Sequence, residues 1–173
     1  LWKVDGLGKG WSSPIVVGDT LYITGDVEDD LVLYAFGVDG ELRWKTTNGE
    51  SWKKSYPGAR AACAYSEGKL YHVNGHGRLV RLDARTGVEE WVVNVLERFD
   101  AKNITWGICE CLLVDGERVI VTPGGKKALV AALDKKTGNT VWTTPSVPDD
   151  RPSYPSPILF RYGGRRLIAN CSG

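Results

Sequence analysis

The chain has 173 residues, of which 42% are hydrophobic and 25% charged, and its formal net charge is +1. That length supports one domain with a sizeable core, and the composition is that of a globular protein. Near-neutral charge offers no basic face for nucleic acid and no acidic tail, no apolar run approaches the roughly 18–20 residues of a bilayer span, and the opening LWKVDGLGKG lacks the charged start and apolar stretch of a signal peptide.

In chain order, SSPIVVGDTLYITG (12–25) sets two apolar runs around a Gly-Asp turn, which predicts a β-hairpin. LVLYAFGVDGELRW (31–44) predicts a second hairpin that turns at Asp39-Gly40 and ends in Trp44. The pattern then restarts. AACAYSEGKLYHVNG (61–75) turns at Glu67-Gly68, and LVRLDARTGVEEW (79–91) ends in Trp91. CLLVDGERVIVTPGG (111–125) turns at Asp115-Gly116, and LDKKTGNTVW (133–142) ends in Trp142. A fourth unit breaks off after LIANCSG (167–173). Helical periodicity is sustained nowhere, and 21 Gly and 8 Pro interrupt every candidate window.

Trp2, Trp44, Trp91 and Trp142 stand 42, 47 and 51 residues apart, and Gly40, Gly87 and Gly138 each lie four positions before a Trp. A period of roughly 40–50 residues suits propeller blades or HEAT-type helical repeats, and the strand content selects blades. Each unit is expected to be a meander of four strands, A to D. In LDARTGVEEW, strand C ends at Leu82-Asp83 and strand D begins near Val88. The Asp carboxylate can accept backbone N–H groups in the turn, and the Gly supplies a positive φ. The Trp falls at a fixed place on strand D, where it can fill the gap to the next sheet. A lone four-stranded sheet cannot bury both faces, so the units must stack.

The motif W-SSP, a hydrophobic run, GD-x-LY and LDxxTGxxxW resembles the pyrroloquinoline quinone (PQQ) type β-propeller repeat, whose members include quinoprotein alcohol dehydrogenases and the lipoprotein scaffold of outer-membrane protein assembly. The stretch KNITWGICECLLVDGERVIVTPGGKKALVAALDKKTGNTVW (102–142) resembles PQQ-like propellers of planctomycete-type bacteria still more closely. The resemblance implies an all-β fold: an open partial propeller of about three and a half four-stranded antiparallel blades, a fragment awaiting further blades. It divides the single 1–173 domain into 1–47, 48–95, 96–145 and an incomplete 146–173. It also implies a periplasmic or secreted location and Trp44, Trp91 and Trp142 docked on small residues of neighbouring blades. In the dehydrogenases of this family PQQ sits beneath a vicinal Cys-Cys pair, and a Glu, Asn and Asp set holds calcium. Here no Cys-Cys occurs, and Cys109 and Cys111 flank Glu110. PQQ and calcium therefore enter by resemblance alone, and a binding or scaffold propeller is favoured over a quinoprotein-like oxidoreductase.

Aligned on the residue before each first hairpin, Pro14, Cys63, Leu112 and Pro157 correspond, as do Trp11, Arg60, Cys109 and Tyr154. Strand A is innermost in such propellers, so the second set is expected to ring the mouth of a central channel. The short hairpin turns contrast with long D-to-A connectors at 48–59, 96–107 and 145–155, which carry Trp52, Lys53, Lys54, Asn103, Trp106 and Arg151. A small-molecule or protein ligand is accordingly expected on Trp11, Arg60, Trp106, Glu110 and Tyr154, with Arg60 either paired to Glu110 or acting as a planar fork for a carboxylate, sugar or quinone. Other candidates read as structure. His72 and His76 fill a strand and its turn, Asp26, Glu28, Asp29 and Asp30 form a solvated hairpin loop, and Asp83 and Asp134 are turn formers. Gly124-Gly125-Lys126-Lys127 joins two strands and is no phosphate loop, Asn103-Ile104-Thr105 is a formal glycosylation sequon, and Cys63, Cys109, Cys111 and Cys171 give no disulfide or zinc pattern. No catalytic set can be assembled.

Overall fold

A computed structural model describes residues 1–173. Its first sheet is β1 (Ile15–Val17), β2 (Thr20–Val27), β3 (Asp30–Gly37) and β4 (Leu42–Glu50); its second is β5 (Ala64–Ser66), β6 (Lys69–Val73), β7 (Arg78–Asp83) and β8 (Glu89–Asn94). A single helical turn, α1 (Val95–Arg98), precedes the third sheet of β9 (Leu113–Asp115), β10 (Arg118–Val121), β11 (Ala131–Asp134) and β12 (Thr140–Thr143). β13 (Ile158–Tyr162) and β14 (Arg165–Ala169) form a two-stranded hairpin. Every sheet is an antiparallel meander in sequence order. The chain is thus an open partial propeller of three complete blades and half of a fourth. Each first hairpin closes through a two-residue loop, as in Glu67-Gly68, where both residues have positive φ (49° and 77°).

The repeated Leu-Asp…Thr-Gly…Trp motif is legible atom by atom. Asp83 Oδ1 accepts from the backbone N–H groups of Arg85 and Thr86 (3.1 and 3.0 Å) and from Thr86 Oγ1 (2.9 Å). Asp134 repeats the arrangement with Lys136 and Thr137 (3.0, 2.8 and 2.9 Å). Gly87 and Gly138, both at φ 72°, complete the reversals. They also serve as docking floors: a Cβ on Gly87 would stand 2.6 Å from the Trp44 ring, and one on Gly138 would stand 3.0 Å from Trp91. Each Trp therefore reaches into the following blade. Trp44 Nε1 donates to Ala84 O (3.0 Å) and Trp91 Nε1 to Lys135 O (3.1 Å). The Tyr of each Leu-Tyr pair adds a second staple to the same carbonyl, from Tyr22 Oη to Ala84 (3.1 Å) and from Tyr71 Oη to Lys135 (3.3 Å).

The core lies between sheets, as stacking requires. Tyr22, Leu33, Leu70 and Leu82 bury one interface. Tyr71, Leu79, Val119 and Leu133 bury the next. Pro14, Cys63, Leu112 and Pro157 each sit immediately before a first strand, as the alignment requires.

Three local expectations change. Asn94 nucleates α1 where no helix is predicted, because its Oδ1 accepts from the N–H groups of Leu96 and Glu97 (3.0 and 3.2 Å) while Leu96 buries. The connection between β10 and β11, residues 122–130, is long rather than short. It carries the Gly-Gly pair between two connectors: a Cβ on Gly124 would stand 2.1 Å from the Arg151 carbonyl carbon, and one on Gly125 would stand 2.3 Å from Phe99 O. Asp26, grouped by sequence with a solvated loop, is only 8% exposed and accepts from Trp52 N (2.9 Å), whereas Glu28, Asp29 and Asp30 are exposed.

Candidate ligand site

Trp11, Arg60, Cys109 and Tyr154, which the alignment places at equivalent positions, line one open cavity of about 380 Å³ together with Tyr56 and Trp106. They come from all four blades because each precedes the first strand of its own. Trp106 is central: its ring stands 5.2 Å from Tyr154, inclined 36°, and 6.1 Å from Tyr56, nearly perpendicular at 83°. These rings remain exposed, Trp11 by 66%, Tyr56 by 64%, Trp106 by 42% and Tyr154 by 38%. Trp11 is oriented by a hydrogen bond from Nε1 to Pro57 O (3.2 Å). The Cys109 thiol, 3.5 Å from Tyr154 O, has its pKa pushed up by burial, so it is a neutral wall rather than a nucleophile.

Arg60 is the one charged lining residue. Its Nη2 donates to Ser55 O (3.1 Å) and Tyr56 O, and its guanidinium lies 5.7 Å from the centre of the Trp52 ring. It braces the loop that carries Tyr56, a residue held at φ 55°. Tyr56 is the site residue that sequence reasoning missed; its only local sign is an aromatic beside Pro57 in a connector.

Two expected members lie elsewhere. Glu110 does not pair with Arg60. Its side chain turns inward, 1% exposed, and accepts from Thr122 N (2.8 Å), while Oε2 has no partner. Burial pushes its pKa up to about 7. Trp52, expected on the ligand face, is 3% exposed and forms the floor behind the site, packed on Gly75, Gly107 and the His76 ring. Among the remaining connector residues, Asn103 donates to Gly75 O (2.8 Å), Lys53 pairs with Asp29, Lys54 lies 5.8 Å from the Trp52 ring and Arg151 is exposed.

His72 is fully buried and both ring nitrogens are occupied, Nδ1 by Asn48 Nδ2 (2.8 Å) and Nε2 by Ala61 O (3.2 Å). Burial lowers its pKa to about 4, so it is a neutral strut. His76 Nε2 contacts Ser51 O (3.2 Å). Burial likewise pushes Cys63 up to about 12. A larger cavity of about 590 Å³ lies beside the aromatic one, lined among others by Lys9, Asp26, Trp52 and Pro57. The one orphaned Asp26 oxygen, Oδ1, is buried.

No three His, Cys, Asp or Glu side chains gather around a common point, and Cys109 and Cys111 are separated by the inward-turned Glu110.

Comparison with known proteins agrees with the fold. The family described as "Outer membrane protein assembly factor BamB", built on the PQQ-type repeat, matches residues 28–173. "Quinohemoprotein alcohol dehydrogenase ADH-IIG" of Pseudomonas putida is 32% identical over 170 residues, covering 86% of this chain and 23% of the dehydrogenase. The solved structure of ADHIIG from Pseudomonas putida HK5 matches with a TM-score of 0.61 and 26% identity, covering 86% of this chain and 22% of its own. BamB from Moraxella catarrhalis matches with a TM-score of 0.56 and 18% identity over 84% and 38% of the two chains, a likeness of fold alone. The chain spans between 19% and 23% of the length of the curated relatives it matches. With its blades stacked through Trp on Gly and its repeat matched over most of its length, the chain belongs to the PQQ-type β-propeller repeat family.

Proposed function

We propose that this chain forms the ligand-presenting part of a periplasmic or secreted binding propeller, whose channel face is the aromatic cavity around Trp106. The observation that carries the reading is the convergence of four exposed aromatic rings and one cation on a single cavity. Large apolar rings gathered at the surface with one oriented polar group favour a binding site over a solvated face. Trp11 and Trp106 lie in the cavity and supply the test. Their fluorescence should be quenched saturably by a member of a panel of cyclic compounds comprising neutral and acidic oligosaccharides, aromatic acids and quinones. The quench should weaken in Trp106→Ala and Tyr154→Ala. If no member of the panel quenches, the cavity is not a small-ligand site.

A second reading, part of a quinoprotein-like oxidoreductase, is favoured by the 32% identity to a quinohemoprotein alcohol dehydrogenase. Titrating the complete protein with PQQ and calcium, followed by dye reduction with alcohols, separates the two. Turnover would establish the enzyme; its absence together with quenching by another ligand would establish the binder.

A further inference from the structure

We infer that the aromatic cavity takes an anionic oligosaccharide, an inference that rests on its reading as a ligand site. The angles between the rings come first. Trp106 is inclined 36° to Tyr154 and 83° to Tyr56, so neither pair offers the two parallel faces that clasp a flat aromatic ligand. Inclined, exposed faces instead suit a chain of sugar rings. Each pyranose can lay its apolar C–H face on one aromatic ring and turn its hydroxyl rim to solvent, and successive sugars differ in orientation as these side chains do.

Charge then narrows the class. Four aromatic rings around one cavity could attract an organic cation, but Arg60 stands among them with no carboxylate in the lining to neutralise it. Its hydrogen bonds within the protein are both made by Nη2, to the uncharged carbonyls of Ser55 and Tyr56. Glu110, the nearest acid in sequence alignment, is turned away and bonded to Thr122. No acid lines the cavity, so Arg60 turns a positive charge toward it that favours an anionic group over a cation, with the buried Asp26 carboxylate within electrostatic reach outside the lining. Nε is sealed and unpartnered while Nη2 is engaged, which leaves Nη1 as the donor for a ligand. Arg60 then acts as a single-point charge and not as the two-pronged fork expected from sequence.

The test uses the wild-type protein and three probes followed by tryptophan quenching: an oligogalacturonate, a neutral oligosaccharide of equal length, and a planar aromatic carboxylate. The expected result is saturable quenching by the oligogalacturonate about tenfold tighter than by the neutral sugar, the scale of one charge-assisted hydrogen bond. The gap should shrink with added salt and close in Arg60→Gln. Arg60→Lys, which retains the charge while loosening the brace on the 55–56 carbonyls, should preserve most of it, so a loss confined to Arg60→Gln reports charge and not folding. Equal affinity for the acidic and neutral sugars overturns the inference, as does quenching by the aromatic carboxylate alone; in both cases the cavity remains a ligand site. Quenching by none of the three, nor by any other member of the wider panel, overturns inference and ligand site together.

Discussion

Two tryptophans with the same number of atoms do different work. Trp91 plugs the seam between the second and third blades over Gly138 and remains partly exposed, whereas Trp52 is almost fully buried behind the ligand cavity. Sequence position alone makes Trp52 a connector residue whose loss costs much less than that of Trp91. Burial reverses this. Trp52→Ala should cost about 3–5 kcal/mol, the usual scale for a large core aromatic, and Trp91→Ala no more than that, read from denaturant midpoints. A clearly smaller loss at Trp52 would show that the floor of the site is looser than its packing indicates. Gly87 offers a sharper probe. Gly87→Ala imposes both a left-handed backbone on alanine and a Cβ 2.6 Å from Trp44. Its cost should exceed the roughly 1–2 kcal/mol of the backbone effect alone, whereas Gly18→Ala, where a Cβ meets nothing within 4 Å, should show only that effect.

Glu110 and His72 yield a prediction in pH, because burial shifts them in opposite senses. Glu110 rises from 4.5 to about 7, so the folded chain binds more protons than the unfolded chain between those values, and its contribution falls as pH rises. His72 drops from 6.5 to about 4, so the unfolded chain binds more protons in that window, and its contribution rises with pH. From about pH 4.5 to 6.5 the two slopes oppose and the wild type should be nearly flat. Glu110→Gln removes one of them, and stability should then climb between pH 4 and 6.5 by on the order of 3 kcal/mol. Urea melts at half-unit steps of pH decide the matter; parallel profiles for the wild type and the variant would mean that Glu110 is ionised when folded.

At the scale of the element, the turn between the third and fourth strands of a blade both reverses the chain and receives the Trp of the preceding blade. Asp83 and Asp134 hold this turn with identical hydrogen bonds, two to backbone N–H groups and one to a threonine hydroxyl. Asp134→Ala should cost about 1 kcal/mol, the scale of a lost capping carboxylate, and should also loosen the Trp91 seam. Thermal melts followed by tryptophan fluorescence can see both effects, since Trp91 should become more accessible to quenchers before global unfolding. Unchanged accessibility would separate the turn from the dock. The loop from Trp52 to Arg60 is a second such element: Asp26 fixes its start through Trp52 N, and Arg60 fixes its middle through two carbonyls.

At the scale of the molecule, the blades stack but the stack does not close. The last hairpin leaves Ile158 60% and Tyr162 77% exposed, and the first strand leaves Val16 59% exposed. Unpaired strand edges beside apolar faces are templates for association. The 173-residue chain by itself should therefore associate with rising concentration in sedimentation. A sharp monomer with a cooperative melt over a hundredfold concentration range would show that these faces are adequately covered as they stand.

The blade itself was legible in the sequence. Alternation of apolar and polar residues, two-residue turns and an Asp and Gly at fixed distance from a Trp are local signals, and they specify local hydrogen bonds that need no partner blade to be inferred. Alignment of the residue before each first strand even placed Trp11, Arg60, Cys109 and Tyr154 around one cavity, because a strict repeat converts spacing along the chain into position in space. What spacing does not encode is the direction a side chain takes once its neighbours compete for it. Glu110 found a backbone N–H on Thr122 and turned inward, Arg60 found two carbonyls and became a brace, Trp52 found two glycines and became a floor, and Tyr56 stands exposed on the braced loop. Those outcomes depend on side-chain contacts that the repeat spacing does not carry: Arg60 meets carbonyls four and five residues back in its own connector, Glu110 meets Thr122 within its own blade, and Trp52 packs on Gly75 of its own blade and Gly107 of the next.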